Sequence, residues 1–509
     1  MKPILLTLAV AVALAASAFP AAAGAADYCV APDTTCGGTN VATFEHALDL
    51  ADDAADSDRI FLGAATYTAP TTSGYLYAQP AYPVEIIGAG EGSTILTNVA
   101  GASFAVLEFN GGASSSVHDL TIRLPQSAAA GYSGLNTYSA ARRIEITEDP
   151  TEANFRYGAR LHDAGSLEDS TVTLAGEHHA TGVLAEGTPT AVRRSTVSAG
   201  TGILSYGTEI ERSSVTGSEY GVRTIGGKTT LTGSLVRLTD CCTGIRVDEA
   251  GSSTLNADGV TLLVPISDDV VGVGVSTSNY DTGNAAFTMT NSVIRGSAPL
   301  FAYTAGSGHA TITASYSDYD HSADVTTGAN ASIHESDVTN FGGDYHPVAG
   351  SPLVDAGDPA AAPGGLDLDG TPLVADGNGD GIARRDMGAF ELQPAPPAGG
   401  QPDGGQPGGG GQPGGTPSLD TLAPRVTRFR AATRARGTRL RYTLSEPARV
   451  VVRIRRAHSV ARLVRSGRAG ANSVRRLLRP GRYRATIVAT DAAGNRSTPR
   501  TVRFRVARR

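Results

Sequence analysis

The chain has 509 residues, 40% of them hydrophobic, with 62 Gly and no Trp; it is too long for one compact core, which predicts an extended or multidomain molecule. The net charge of −7 conceals a split. From Leu419 to Arg509, 25 Arg stand against Asp420, Glu446 and Asp491 and give +22, while the other 17 basic and 46 acidic residues leave −29 on the first 418. No Gly-x-x-x-x-Gly-Lys and no Gly-x-Ser-x-Gly occurs, which argues against a P-loop nucleotide site and a nucleophile-elbow hydrolase.

Met1-Lys2-Pro3, an apolar stretch from Ile4 to Ala16 and small residues up to Ala26 have the layout of a secretory signal peptide over residues 1–26. Cleavage after Ala23, Ala25 or Ala26 would leave no cysteine beside the cut, so no lipid anchor is expected. No later run reaches 18 apolar residues, so no membrane span is expected and the protein should be secreted, with any attachment to a cell wall non-covalent. Four cysteines in an exported chain favour disulfides, and Cys29 with Cys36 would close a short N-terminal loop. The adjacent Cys241 and Cys242 leave two readings: one core and one surface thiol on a strand, or a vicinal disulfide.

The first element is a short helix: Thr43 is its N-cap, and Phe44, Ala47, Leu48, Ala51, Ala54 and Ala55 share one face at 3.6 spacing. From Arg59-Ile60-Phe61-Leu62 onward the pattern is all-β, with short apolar runs between Gly, Ser, Asn and Asp. Two series repeat at intervals of roughly 18 to 33 residues. One is Ser170-Thr171-Val172, Ser195-Thr196-Val197, Ser213-Ser214-Val215 and Ser234-Leu235-Val236, continued by Gly259-Val260-Thr261 and Asn291-Ser292-Val293; the other is Gly182-Val183, Gly202-Ile203, Gly221-Val222, Gly244-Ile245 and Gly272-Val273. Two short strands at a similar offset in each period describe coils of a stack, not propeller blades. About nine coils between Val117 and Asp320 would make a rod of about 40 to 45 Å. Its open ends are sheet edges that need covering, and the helix suits one of them.

Thr43-Phe44-Glu45-His46-Ala47-Leu48, Asp58 to Gly63 and Val84 to Gly90 resemble the opening of secreted proteins of the pectin-lyase-like superfamily. That resemblance implies a right-handed parallel β-helix over residues 27–392. Asp344-Tyr345-His346-Pro347, Ser351 to Asp358, Asp367-Leu368-Asp369-Gly370 and Asp386-Met387-Gly388-Ala389-Phe390-Glu391 resemble the C-terminal cap of many such proteins. The superfamily holds lyases, hydrolases, adhesins and proteins with no known reaction, so the likeness speaks for architecture alone.

Residues 393–418 are nearly all Gly, Pro and Gln and read as a flexible linker. Residues 419–509 alternate apolar and Arg positions: Leu440, Tyr442 and Leu444 with Arg439 and Arg441, and Val502, Phe504 and Val506 with Arg503 and Arg505. The segment is similar to bacterial Ig-like β-sandwich modules and should carry arginine on its outer face.

Asp376-Gly377-Asn378-Gly379-Asp380-Gly381 spaces oxygen ligands as a calcium loop does, but Met387 stands where an EF-hand needs Glu, so Asp386 or Asp367 would have to complete the shell. The alternative is an acidic turn without metal. Catalytic signals are sparse. Lys2 and Lys228 are the only lysines, and the polygalacturonase pattern of Gly-His-Gly with a downstream Arg-x-Lys is absent. Val117-His118-Asp119-Leu120 reads as a strand edge, and Glu177-His178-His179 as an exposed loop. Tyr316-Ser317-Asp318-Tyr319-Asp320-His321 combines carboxylates with aromatic faces, which makes Asp318, Asp320 and His321 the acid/base candidates, against an ordinary polar loop. The sequence therefore points first to a β-helix that binds extracellular polysaccharide and is tethered by its Arg-rich module to an anionic cell-wall polymer. Calcium is the one cofactor expected, and nucleic acid an incidental polyanion. A polysaccharide lyase and a structural adhesin or spacer are the rivals.

Overall fold

The computed structural model describes residues 25–32, 36–52, 57–125, 130–148, 155–175, 180–265, 270–278, 282–296, 300–319, 324–328, 331–333, 345–360, 364–394, 424–434, 437–446, 448–456, 459–476, 478, 481–490 and 496–506. The signal peptide, all but the first two residues of the linker, and Ala54, Ala55, Glu177, His178, His179, Asp320 and His321 lie outside them. Two compact units result, Met1–Gly399 and Gly400–Arg509.

The first unit is a right-handed parallel β-helix. Its first sheet stacks Ala105–Phe109, Tyr132–Thr137, Arg156–Leu161 and Ala180–Ala185 and continues to Leu300–Tyr303. The second runs from Asp27–Val30 and Asp58–Leu62 to Val325–Thr327, and the third from Thr66–Ala69 and Ile95–Asn98 to Ser332–Ile333. All of these pairings are parallel. Alternate side chains from the three sheets, such as Val183, Leu167 and Val172, meet in one continuous core; each fully buried aliphatic contributes about 1.5–3 kcal/mol relative to exposure.

Both sequence repeats have a physical reason. Between the second and third sheets the chain turns through one left-handed residue per coil: Asp119, Arg143, Asp169, Arg194 and Arg212 have φ of 59°, 48°, 50°, 49° and 43°. From Asp169 onward a serine follows this corner in every described coil but one, where Val260 follows Gly259. Ser195 Oγ donates to the Arg193 carbonyl at 2.8 Å and accepts the Ser170 amide of the preceding coil at 3.2 Å; Ser213 and Ser234 repeat the arrangement. A hydroxyl fits because it donates and accepts at once, and the ladder satisfies corner amides that no sheet reaches. The Gly series lies across the core from the Val of the Ser series. A Cβ on Gly158, Gly182, Gly202 or Gly221 would meet Cγ1 of Val172, Val197, Val215 or Val236, so the absent side chain is the space the valine fills.

The helix spans Phe44–Asp52 and buries Phe44, Ala47, Leu48 and Ala51, with the His46 amide donating to Thr43 Oγ1 at 3.3 Å. Phe44 packs on Tyr75 with ring centroids 4.7 Å apart. Cys29 is joined to Cys36. Cys241 and Cys242 form a vicinal disulfide, both half-buried, rather than one core and one surface thiol. This is reached with Cys242 at φ 82°, off the extended geometry that would send the two side chains to opposite faces.

Residues 345–360 and 364–394 are mostly irregular and lie along the flank of the third sheet. Ala389 and Phe390 pack on Leu235, and Leu353 and Met387 on Val293. Arg385 binds Asp258 at 2.9 Å, and the Ala389 amide donates to Thr261 Oγ1 at 2.9 Å. The motifs that resemble a terminal cap thus bind several coils from the side.

The second unit is a β-sandwich. Val426–Arg434, Gly437–Leu444 and Gly470–Arg476 form one antiparallel sheet; Ser459–Gly467, Ala448–Arg456, Gly481–Thr490 and Arg500–Val506 form the other. Leu440, Tyr442, Val450, Val452 and Ile487 meet between them. The three-and-four division fits an Ig-like module, with the fourth strand on the opposite sheet from its place in a constant-type domain.

Candidate functional site

The outer face of the first sheet differs from the rest of the rod. Nine large apolar side chains are exposed among the described residues, and six of them, Leu76, Phe104, Phe155, Tyr206, Phe301 and Tyr303, lie on the strands of this sheet or directly beside their ends. Register aligns Glu108, Asn136, Arg160, Leu184, Leu204, Arg223 and Arg246 in one row on the side of the sheet away from the core, where Asn136 and Leu184 are buried and the other five half-buried. At about 4.8 Å per coil that row is about 30 Å long. Arg160 donates to Glu186 at 2.8 Å and covers the ring of Tyr157 at 5.3 Å; Arg223 and Arg246 share Asp248 at 2.8 and 2.6 Å, and Arg223 covers Tyr220 at 5.2 Å. Beside Arg160, His162 stacks on Tyr138, 4.7 Å between centroids and 19° between planes, with Glu186 3.6 Å from its Nδ1. Burial holds the His162 imidazole below its ordinary range, and the pull of Glu186 in the other direction is smaller. Burial likewise raises the Glu108 carboxyl. Aromatic faces and paired charges along a sheet surface can stack on sugar rings, accept hydroxyls and neutralise carboxylates.

Sequence reasoning missed this face because residues adjacent on it are roughly 20 to 28 apart in the chain. The signal was present one or two places from each Gly-Val step: Leu184, Leu204, Arg223 and Arg246 follow Gly182-Val183, Gly202-Ile203, Gly221-Val222 and Gly244-Ile245 directly.

The residues singled out from the sequence are placed differently. Asp318 sits in register with Val293 on the third sheet, is wholly buried and is ion-paired to Arg295, itself 2% exposed; it is therefore no solvent-facing acid, and Tyr319 beside it points into the core. His118, read as a strand-edge residue, stands at a corner: Nδ1 is 2.8 Å from Asp119 and Nε2 2.9 Å from Glu85, while Arg143 binds Asp119 through two 2.7 Å contacts. The Arg143 hydrogen bond holds the Asp119 carboxyl below its ordinary range. The charges continue down the second sheet, where Arg193 meets Glu168, Glu209 and Glu211 and Arg194 meets Asp169.

Of the metal candidates, Asp376, Asn378 and Asp380 form one exposed turn whose oxygens accept its own amides: Gly379, Asp380 and Gly381 donate to Asp376 at 2.8, 3.0 and 2.9 Å, and Ile382 to Asp380 at 2.8 Å. Asp386 is in a different place. It is buried with Asp355 and Glu391, one carboxylate oxygen of each lying within 4.8 Å of the others. Burial, reinforced by mutual repulsion, pushes Asp386 up to about 7 and Glu391 to about 9, and burial raises the nearby Asp367.

On the second unit, the outer face of the four-stranded sheet sets Arg482 opposite Arg505 and Arg484 between Arg503 and Arg455. None of these five has an acidic partner among the described residues. A groove of about 570 Å³ is lined by them together with Tyr483 and Phe504, whose rings stack at 5.5 Å and pack with the core between the sheets.

No family model matches the chain, and no curated protein matches it. Among solved structures it is similar to the A-module of the mannuronan C-5 epimerase AlgE6 of Azotobacter vinelandii, with 16% identity, a TM-score of 0.28 and coverage of 58% of this chain and 92% of that one. The A-module of AlgE4 from the same organism matches with 10% identity and a TM-score of 0.26, over 58% and 90%. The enzymatically active domain of tailspike protein 2 of bacteriophage CBA120 matches with 10% identity and a TM-score of 0.34, over 88% and 72%. Likenesses at this level carry no functional argument, and the architecture rests on the strand pairings above. Among the described residues no helix is long and apolar enough to cross a membrane.

Proposed function

We propose that this is an exported polysaccharide-binding β-helix, held at an anionic polymer by its basic module. The observation that carries the reading is arginine opposite arginine on the outer strands of that module. Like charges directly across a sheet oppose folding, so nothing within the sandwich accounts for them, whereas a polyanion laid over the face would neutralise them. The aromatic and charged face of the first sheet supports a glycan along the rod. The test is retention of the full chain on an immobilised polyuronate across a salt series. Wild type should be retained at low salt and released steeply as salt rises, and Arg482, Arg484, Arg503 and Arg505 changed together to Ser should cut retention at least tenfold. Equal retention of the two would overturn the tether.

A lyase reading has one specific observation behind it. His162 is biased toward the neutral form and lies beside Arg160, so a base and a carboxylate-neutralising cation sit together, both half-buried, on the side of the first sheet away from the core. Unsaturated products from a polyuronate that disappear in His162→Gln would establish it; retention without product would leave binding as the activity.

A further inference from the structure

We propose that Asp355, Asp386 and Glu391 form a calcium site inside the C-terminal segment, distinct from the exposed Asp376–Gly381 turn. The three residues are 6%, 1% and 4% exposed. Backbone amides hold most of their oxygens in place. Asp386 accepts from Asp355 and Leu392, both at 2.7 Å; Glu391 accepts from Ala375 at 3.1 Å and Asp386 at 2.9 Å; Asp355 Oδ2 accepts from Asn378 at 2.9 Å. Asp355 Oδ1 is the exception, being buried with no hydrogen-bond donor. An acceptor left unmade inside a protein is expensive, and here it belongs to a carboxylate that converges with two others.

Among the described residues no basic side chain pairs with Asp355, Asp386 or Glu391. The nearest arginine in sequence, Arg385, is turned to Asp258 on the rod. Three buried carboxylates without a cation can stay together by holding protons or by sharing a metal ion. The orphan oxygen favours the ion, because amide donors already reach both oxygens of Asp386 and of Glu391 while Asp355 Oδ1 awaits a partner. An all-oxygen, carboxylate-only donor set selects a hard divalent cation, and an irregular loop with both Asp and Glu suits the variable coordination of calcium better than the strict octahedron of magnesium. One calcium would cancel two of the three charges. It would also join residues 355, 386 and 391 of a segment whose only described β-bridges are Leu366 to Pro372 and Ala375 to Arg384.

The experiment titrates calcium into the full chain after chelator dialysis, by calorimetry, with melting temperature as a second readout. The expected result is one calcium per chain and a rise of roughly 2–5 °C in melting temperature at saturating ion. Asp355→Asn and Glu391→Gln should abolish both, while Asp376→Asn with Asp380→Asn should leave both intact. Should the buried variants fail to fold, retention of one site in the exposed-turn double variant still supports the proposal, because it removes the competing ligand set. Absence of calcium binding by wild type, or its loss in the exposed-turn variant alone, overturns it. So does a Glu391→Gln protein that is more stable than wild type in chelator and still binds calcium.

Discussion

Arginine does opposite things on the two units. On the second sheet of the rod neighbouring coils between Asp119 and Glu211 answer one another: Arg193 lies against Glu168 on one side and Glu209 and Glu211 on the other, and Arg143 against Asp119. On the sandwich, Arg484 faces Arg455 and Arg503, and Arg482 faces Arg505. The residue type is the same, so what separates structural charge from ligand-seeking charge is the neighbour that strand register supplies. The ladder explains itself within the fold. The arginine field does not, which is why function is placed there.

The comparison breaks most severely if the register of the coils is lost. A Cβ on Gly202 would meet Val215 Cγ1 and the Gly221 carbonyl, so Gly202→Ala should destabilise the rod by about 1–3 kcal/mol through overpacking. Calorimetric melting of the full chain checks this, and retention on polyuronate below the melting temperature should not change. If Gly202→Ala melts like wild type, the Gly and Val series do not interlock as described.

The stack was legible in the sequence because a coil repeats short signals: Ser before a β-branched pair marks a corner, and Gly before Val or Ile marks the wall opposite. What those signals cannot carry is the face. Arg160, Leu184 and Leu204 become neighbours only once each coil's length is known, and coils vary in length with the loops between strands. Asp318 illustrates the same limit from the other side. Its sequence surroundings are those of a polar loop, yet Arg295 of the preceding coil pairs with it in the interior. Asp386 was picked out by its distance from Asp376, whereas its partners Asp355 and Glu391 come from segments that meet only when the chain folds back. The alternation of Arg439, Arg441, Arg503 and Arg505 with apolar residues was legible, because it is read within one strand; that Arg482 faces Arg505 was not.

A sharper form of the comparison changes one arginine on each unit to glutamine. Arg193→Gln removes a cation that is 29% exposed at its side chain from three carboxylates and should cost about 1 kcal/mol, since solvent screens such pairs. Arg484→Gln relieves two cross-strand repulsions and should be neutral or stabilising by a few tenths of a kcal/mol. Melting at low and high salt distinguishes the two: the Arg193 effect should shrink with salt. An equal loss of stability from both substitutions would mean that register does not separate the two kinds of arginine.

The smallest effect concerns pH. Arg143 holds the Asp119 carboxyl below its ordinary range by hydrogen bonding, with smaller help from His118. A carboxyl whose folded value is depressed gives stability that is present above its unfolded value, near 3.8, and lost as pH falls through the folded value. The group is partly exposed, so screening keeps the contribution well under 1 kcal/mol. Asparagine also tolerates the left-handed backbone at this corner, so Asp119→Asn removes the charge and leaves the turn. Wild type should then exceed the variant in melting temperature at neutral pH, and the gap should begin to narrow as pH falls below about 4 and close only below the depressed folded value, where both side chains are uncharged. A gap that persists unchanged to pH 2.5 would show that Asp119 acts through the turn and not through Arg143, and the alternation of charge down the second sheet would lose its claim to be structural.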